Sequence, residues 1–239
     1  MPHQKIAISN QKGGVGKTTI TRLLGIYLAG TGRKTLLIDA NPQGNLTKSL
    51  VDSDEPGLYQ ALMENDRPSA RCKITEIEIS PSGASQRPGK LFLLAGSIRL
   101  AGLEKSLIGE MDAYIRLKEL LAENIFSEFE YILIDTPPSL GVLTINALTA
   151  SGYIIAPMNP AIYSLQGTND LMATITKVKK NLNPGLTFLG VIINAFDAHP
   201  VITRQIREEI VQAFGDRVFR ASLSRSVKVE EALAARRGL

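Results

Sequence analysis

Near its start the chain carries a run that tolerates very few surroundings, Ser9-Asn10-Gln11-Lys12-Gly13-Gly14-Val15-Gly16-Lys17-Thr18-Thr19. It follows a short apolar alternation, Lys5-Ile6-Ala7-Ile8, that reads as a buried strand. It runs straight into Ile20-Thr21-Arg22-Leu23-Leu24-Gly25-Ile26-Tyr27-Leu28, whose apolar positions recur at helical spacing. A glycine-rich loop between a strand and a helix is the setting of a phosphate-binding loop. Glycines let the backbone bend tightly and bring its N–H groups close to an anion. The helix start adds unpaired donors and the positive end of a dipole. In such a loop Lys17 reaches the β- and γ-phosphates and Thr18 ligates Mg²⁺.

A second acidic strand end fits the same chemistry. Phe129-Glu130-Tyr131-Ile132-Leu133-Ile134-Asp135 is an apolar strand closed by an acid, and Thr136-Pro137-Pro138 stops it. It reads as a Walker B strand, with Asp135 placed to hold a water on Mg²⁺. Arg33–Asp39 is another strand with an acidic end, followed by a loop dense in turn formers from Asp39 to Thr47. Asp39 either stands near the Mg²⁺ shell or caps this loop. Further strands are expected at Leu91–Ala95, Gly152–Pro157 and Phe188–Asn194. Helices are expected at Pro56–Met63, at Ile98–Glu123 with a break near Gly109, at Ser164–Leu182 and at Val201–Phe214. The last presents Ile202, Ile206, Ile210 and Phe214 as its core face. Strands alternating with helices predict an α/β fold, a mostly parallel, doubly wound sheet with helices on both faces. The chain reads as a single domain over residues 1–239, with little signal between Leu50 and Lys90.

The loop departs from the ordinary Walker A pattern. Counting back from Lys17, the expected first glycine falls on Gln11, and an additional lysine, Lys12, heads Lys-Gly-Gly-Val-Gly-Lys-Thr-Thr. This resembles the deviant Walker A motif of the ParA/MinD family of ATPases. The resemblance implies that Lys12 crosses a dimer interface to the partner's nucleotide, and that residues 12–19, including Gly13, Gly14, Val15, Gly16 and Thr19, line the nucleotide. The loop after the second strand is similar to the family's Asp-x-Asp-Pro-Gln-Gly-Asn at every fixed position but one. Asn41 stands where the family has the acid that orients or activates the attacking water. An amide cannot accept a proton from water, and losing a positioned base costs on the order of 10²–10⁴ in rate. Either the residue is native and the ATPase slow, or it is a substitution that traps the ATP-bound state; the intact surroundings favour the second. The resemblance also implies an adenine-reading role for Asn194, whose amide can donate and accept together. It places Leu223 in a nucleotide-base loop, where Leu223-Ser224-Arg225 replaces the family's frequent Ile-Pro-Arg. Around it, Arg217–Lys228 holds four basic residues and no acid. Such a cluster is commonly a solvated face; the resemblance makes Arg204, Arg220, Arg225 and Lys228 a surface for DNA.

The bulk composition agrees. With 239 residues, 44% of them hydrophobic, a sizeable core is available, and a formal charge of +4 permits nucleic acid without demanding it. One cysteine, Cys72, leaves no disulfide framework and suggests a reduced, cytoplasmic thiol. It also rules out the shared cysteine-ligated cluster of a nitrogenase-iron-protein type reductase. His3 and His199 flank no carboxylate cluster, and no stretch approaches the length of a membrane span. Ala232–Arg237 is too short and lacks the aromatic anchors of a MinD-like membrane helix. The chain ends soon after, at Leu239, where many relatives continue with a further helix. An ATP-dependent synthetase or small-molecule kinase would share the phosphate loop and stays open. The resemblance implies a partition ATPase using ATP and Mg²⁺: a homodimer with ATP that binds double-stranded DNA non-specifically and associates with the nucleoid. A ParB-like or other cargo-adaptor protein would release it by stimulating hydrolysis, and no membrane is involved.

Overall fold

The apolar runs assemble into one eight-stranded sheet of order β3-β4-β2-β5-β1-β6-β7-β8. The computed structural model describes residues 3–52, 57–63, 73–78, 89–161, 164–196, 201–224 and 231. Its strands are β1 (Gln4–Ile8), β2 (Lys34–Asp39), β3 (Ile74–Ile77), β4 (Lys90–Leu94), β5 (Tyr131–Asp135), β6 (Tyr153–Met158), β7 (Thr187–Phe196) and β8 (Val218–Ser224). The helices are α1 (Lys17–Gly30), α2 (Asn45–Lys48), α3 (Leu58–Met63), α4 (Arg99–Ser106), α5 (Arg116–Leu120), α6 (Val142–Ala150), α7 (Ser164–Asn181) and α8 (Val201–Phe214). All strand pairs are parallel except β3 with β4.

Alternation along each central strand builds two cores. Ala7, Leu36, Ile38, Ile132, Ile134, Ile154 and Ala156 face one side with α3 to α8; Ile6, Ile8, Leu37, Leu133 and Ile155 face the other with α1 and α2. Central strands buried on both faces read as continuous apolar runs, which is why β1, β2, β5 and β6 were legible. The doubly wound α/β architecture is as expected.

Four elements carried no clear signal. The edge strand β3, Ile-Thr-Glu-Ile, is short, polar and half exposed. β8 is exposed at most of its positions, so no apolar run marks it. α2 is a single turn within the Asp39–Thr47 loop. α6 has the opposite problem: seven of its nine residues are buried, so no polar stripe reveals a helical period. Its buried Asn146 is satisfied by accepting from the Leu117 N–H at 3.1 Å and donating to Ala113 O at 2.6 Å and Val142 O at 3.0 Å. The expected helix over Ile98–Glu123 is broken into α4 and α5 by turns around Gly109, at φ +95°.

Candidate functional site

Strand register sets the site. β5 is flanked by β1 and β2, and its pairing places Asp135 opposite both Ile8 and Asp39. The loops after all three strands therefore leave one carboxyl edge, where open parallel sheets bind ligands. Short bonds lace these ends together. Thr136 donates its hydroxyl to Ile8 O at 2.9 Å, Ala40 N–H to Asp135 O at 3.0 Å, and Ser9 N–H to Ile155 O at 3.0 Å.

The loop from Ser9 to Gly16 turns directly into α1. Gly16 is the residue before the helix, at φ +88°, and a Cβ there would stand 2.1 Å from the Asn194 amide nitrogen. Only glycine meets both demands. The first turn of α1 has no acidic residue and no side-chain cap, so its N–H donors are not spent on the protein's own side chains. Cβ atoms built on Gly13 or Gly14 would meet nothing within 4 Å, so the loop is open on that side.

Lys17 is 6% exposed and donates from Nζ to Lys12 O at 3.2 Å. Burial lowers its pKa, and the nearby Asp135 charge works in the opposite direction. The Thr18 hydroxyl donates to Asp135 Oδ2 at 2.6 Å. The other oxygen, Asp135 Oδ1, is buried with no hydrogen-bond partner. A fully buried carboxylate with one orphaned oxygen, beside a hydroxyl and an ammonium, fits a hydrated magnesium ion attached to a phosphate chain. The fit is chemical as well as spatial, since Mg²⁺ takes oxygen ligands and keeps several waters.

The Asp135 carboxyl is pushed up to about 7, first by burial and then by the Asp39 charge, against the Thr18 bond and the Lys17 charge. An unfolded aspartate releases its proton near 3.8. Between those values the folded state holds a proton the unfolded state has lost, so the stability it contributes falls as pH rises and is gone above about 7. The penalty at alkaline pH is on the order of a few kcal/mol. Asp135→Asn in the nucleotide-free protein is therefore expected to raise the thermal midpoint by about 5–10 °C at pH 8 and by less than half as much at pH 5. Equal shifts at both pH values would place the strain elsewhere.

Asp39 turns inward to its own loop. Its Oδ1 accepts from the Asn41 N–H at 3.1 Å, and its Oδ2 accepts from Thr47 N–H at 2.9 Å and the Thr47 hydroxyl at 2.8 Å. Thr47 Oγ1 in turn accepts from Gly96 N–H at 2.9 Å. Burial raises the Asp39 pKa, and the Thr47 and Asn41 bonds oppose the rise. Of the two readings open for Asp39, the loop cap is the one these bonds describe. Asn41, 6% exposed, closes the same loop by accepting the Gln43 N–H on Oδ1 at 3.1 Å.

At the carboxyl ends of β6 and β7, Asn194 donates to Val15 O at 2.9 Å and Asn159 to Gly14 O at 3.0 Å. Asn194, expected to meet a base, thus touches the phosphate loop itself. Leu223 is half-buried near the end of β8, and the β7–β8 register, Ile193 with Ser222 and Phe196 with Ser224, sets it at the same edge as Asn194. Lys12, Gly13, Gly14, Val15, Gly16, Lys17, Thr18, Asp39, Asn41 and Asp135 all gather at this edge, and Thr19 lies in the first turn of α1. Arg204 and Arg220 are exposed, on α8 and β8. Arg225, Lys228, Cys72, His199 and the segment 232–237 lie outside the described residues. Sequence reasoning missed Asn10, Thr47, Thr136 and Asn159 as organisers; for Asn10, Thr136 and Asn159 the available signal was a short polar side chain just past a strand's carboxyl end, whereas Thr47 lies within α2.

A glycine-rich loop feeding a helix, with an acid-ended strand beside it, defines a P-loop nucleoside-triphosphatase domain. The model of a family described as an AAA domain matches residues 3–188. The chain is 39% identical over 230 residues to the sporulation initiation inhibitor protein Soj of Bacillus subtilis (strain 168), covering 95% of this chain and 86% of that one. A crystal structure from Mycobacterium smegmatis described as cobyrinic acid a,c-diamide synthase, with bound ADP and magnesium, superposes with a TM-score of 0.83 at 31% identity, covering 98% and 93% of the two chains. A plasmid partition protein of Borrelia burgdorferi B31, bound to AMPPNP, superposes at 0.79 with 25% identity over 99% of this chain and 91% of that one. The chain belongs to the ParA/Soj-type ATPases. Among the described residues no helix is long and apolar enough to cross a membrane.

Proposed function

We propose that this single-domain chain is a partition ATPase that binds Mg·ATP, closes into a sandwich dimer and then holds DNA without sequence preference. The observation that carries the reading is the double anchoring of Lys12. Its N–H donates to Asn10 Oδ1 at 3.0 Å and its carbonyl accepts from Lys17 Nζ. The backbone that launches this side chain is thereby held at the lip of the loop, beside exposed Gly13 and Gly14. A lysine fixed there serves a phosphate brought up by a second subunit.

Within one subunit, the loop N–H groups and Lys17 would hold the phosphates, while Thr18 and Asp135, the latter through water, would hold the ion. The bound Mg²⁺ supplies charge neutralisation on the β- and γ-oxygens. Leu223 would pack on the base, and Asn194, whose Nδ2 is on Val15 O and Asn159 Oδ1, would offer it the amide oxygen. Asn41, lacking a proton-accepting oxygen in excess of its loop bond, would leave hydrolysis slow. ATP and DNA both favour the dimer, so each strengthens binding of the other. A ParB-like or other cargo adaptor would end the cycle by stimulating hydrolysis, and the ATP form would be cytoplasmic and nucleoid-associated.

Arg204, Arg220, Arg225 and Lys228 would meet DNA phosphates, and such contacts release counterions. The test is binding to a long scrambled duplex with ATP, with ADP and without nucleotide, across a salt series. Tight binding with ATP alone, weakening about 10³-fold or more from 50 to 200 mM salt, is expected. Equal or absent binding in all three states would overturn DNA as the track and turn attention to small-molecule substrates.

A further inference from the structure

Three carbonyls of the phosphate loop are tied back to the protein. Lys12 O accepts from Lys17 Nζ at 3.2 Å, Gly14 O from Asn159 Nδ2 at 3.0 Å, and Val15 O from Asn194 Nδ2 at 2.9 Å. A trans peptide is planar, and its N–H points opposite to its C=O. Pinning the Gly14 and Val15 carbonyls against the ends of β6 and β7 therefore turns the N–H groups of Val15 and Gly16 away from those strands. The Lys17 bond to Lys12 turns the Gly13 N–H away from the Lys17 ammonium. Successive N–H groups turned to one side, here those of Val15 and Gly16, form an anion-binding concavity, and the loop backbone is open to approach, since Cβ atoms on Gly13 or Gly14 would meet nothing within 4 Å.

Asn159 is the member of this set without an assigned role. It follows β6 directly, is half-buried, and its Oδ1 accepts from Asn194 Nδ2 at 3.4 Å. Asn10 ties the same strand end to the head of the loop, donating to Pro157 O at 2.7 Å. β6 thus grips the loop at both ends. Gly14, at φ +72°, has the backbone freedom to turn its peptide the other way, so the loop needs an external bond to hold one orientation.

We propose that Asn159 is a positioning residue for the phosphate cradle: its amide holds the Gly14 carbonyl so that the Val15 N–H faces the phosphates. The proposal rests on the nucleotide reading of the loop. It predicts a loss that follows the amide donor and not the space the side chain fills.

The experiment measures Mg·ADP affinity for the wild type, Asn159→Ala, Asn159→Leu and Asn159→Gln, with the nucleotide-free thermal midpoint of each. Ala and Leu are expected to weaken Mg·ADP about tenfold alike, the effect of one lost orienting hydrogen bond, and Gln, which keeps a donor, to recover most of it. Ala is smaller than Asn and Leu, though branched alike at Cγ, is larger, and neither offers a donor. Wild-type affinity in Asn159→Leu would reduce the residue to a filler and overturn the proposal. A second measurement needs no variant: in the wild type, Mg·ADP is expected to slow amide hydrogen exchange at Val15 and Gly16. Unchanged exchange there, with ADP bound, would overturn the proposal while leaving nucleotide binding intact. Failure of the wild type to bind Mg·ADP would sink the nucleotide reading and the proposal with it.

Discussion

Asn41→Asp is expected to raise the rate of phosphate release by about 10²–10⁴. The surroundings are already built for a carboxylate. The loop is closed by one side-chain oxygen of residue 41, which accepts the Gln43 N–H at 3.1 Å, and by the residue's own carbonyl, which accepts from Gly44 N–H at 2.9 Å. Aspartate has the shape of asparagine and keeps that acceptor. Its second oxygen would occupy the place of the amide nitrogen, exchanging a group that can only donate for one that can take a proton. The backbone N–H stays on Asp39 Oδ1, so no rearrangement of the loop is required. Phosphate release at saturating Mg·ATP, for both proteins with and without DNA, checks this. An unchanged rate would mean that position 41 is not the place of a catalytic acid.

Lys12→Ala is expected to abolish nucleotide-dependent dimerisation while leaving Mg·ATP bound to the monomer. The two backbone bonds of Lys12 involve its N–H and its carbonyl, and alanine retains both. Lys17 keeps its acceptor, so the local cradle survives. In the proposed dimer the variant would lose a cation facing the partner's phosphate in an interface that excludes water, where a charge-assisted contact counts for more than at a surface. Sedimentation with ATP, ADP and no nucleotide reads the outcome. A dimer that persists in the variant would remove the cross-interface role and leave Lys12 as an element of its own loop. The two experiments separate cleanly: the first changes turnover in a dimer that forms, and the second changes assembly before turnover begins.

Much of this site was legible because its chemistry is local. Lys12 to Thr19 are contiguous, and a phosphate loop needs only that its glycines bend and that a helix follows. Asp39, Asn41 and Asp135 were found because each ends or follows an apolar run, and apolar runs mark strands wherever both faces are buried. The same physics hid β3 and β8, which lie at the sheet's edges and need no apolar face, and α6, which is buried on too many sides to show a stripe. It also hid the long-range asparagine contacts: nothing in Met158-Asn159-Pro160 announces that its amide reaches Gly14, 145 positions away.

The sequence by itself determined the alternation of strands and helices, the phosphate loop, the acidic strand ends and the amide at position 41. These follow from residue type and spacing within a few neighbours. Only the tertiary structure decided that Asp135 pairs in register with both Ile8 and Asp39, that Asp39 spends both oxygens on its own loop, and that Asn159 and Asn194 reach the carbonyls of Gly14 and Val15. The reason is physical: strand order and hydrogen-bond direction depend on which distant segments share an edge, and chain connectivity carries no local mark of that choice.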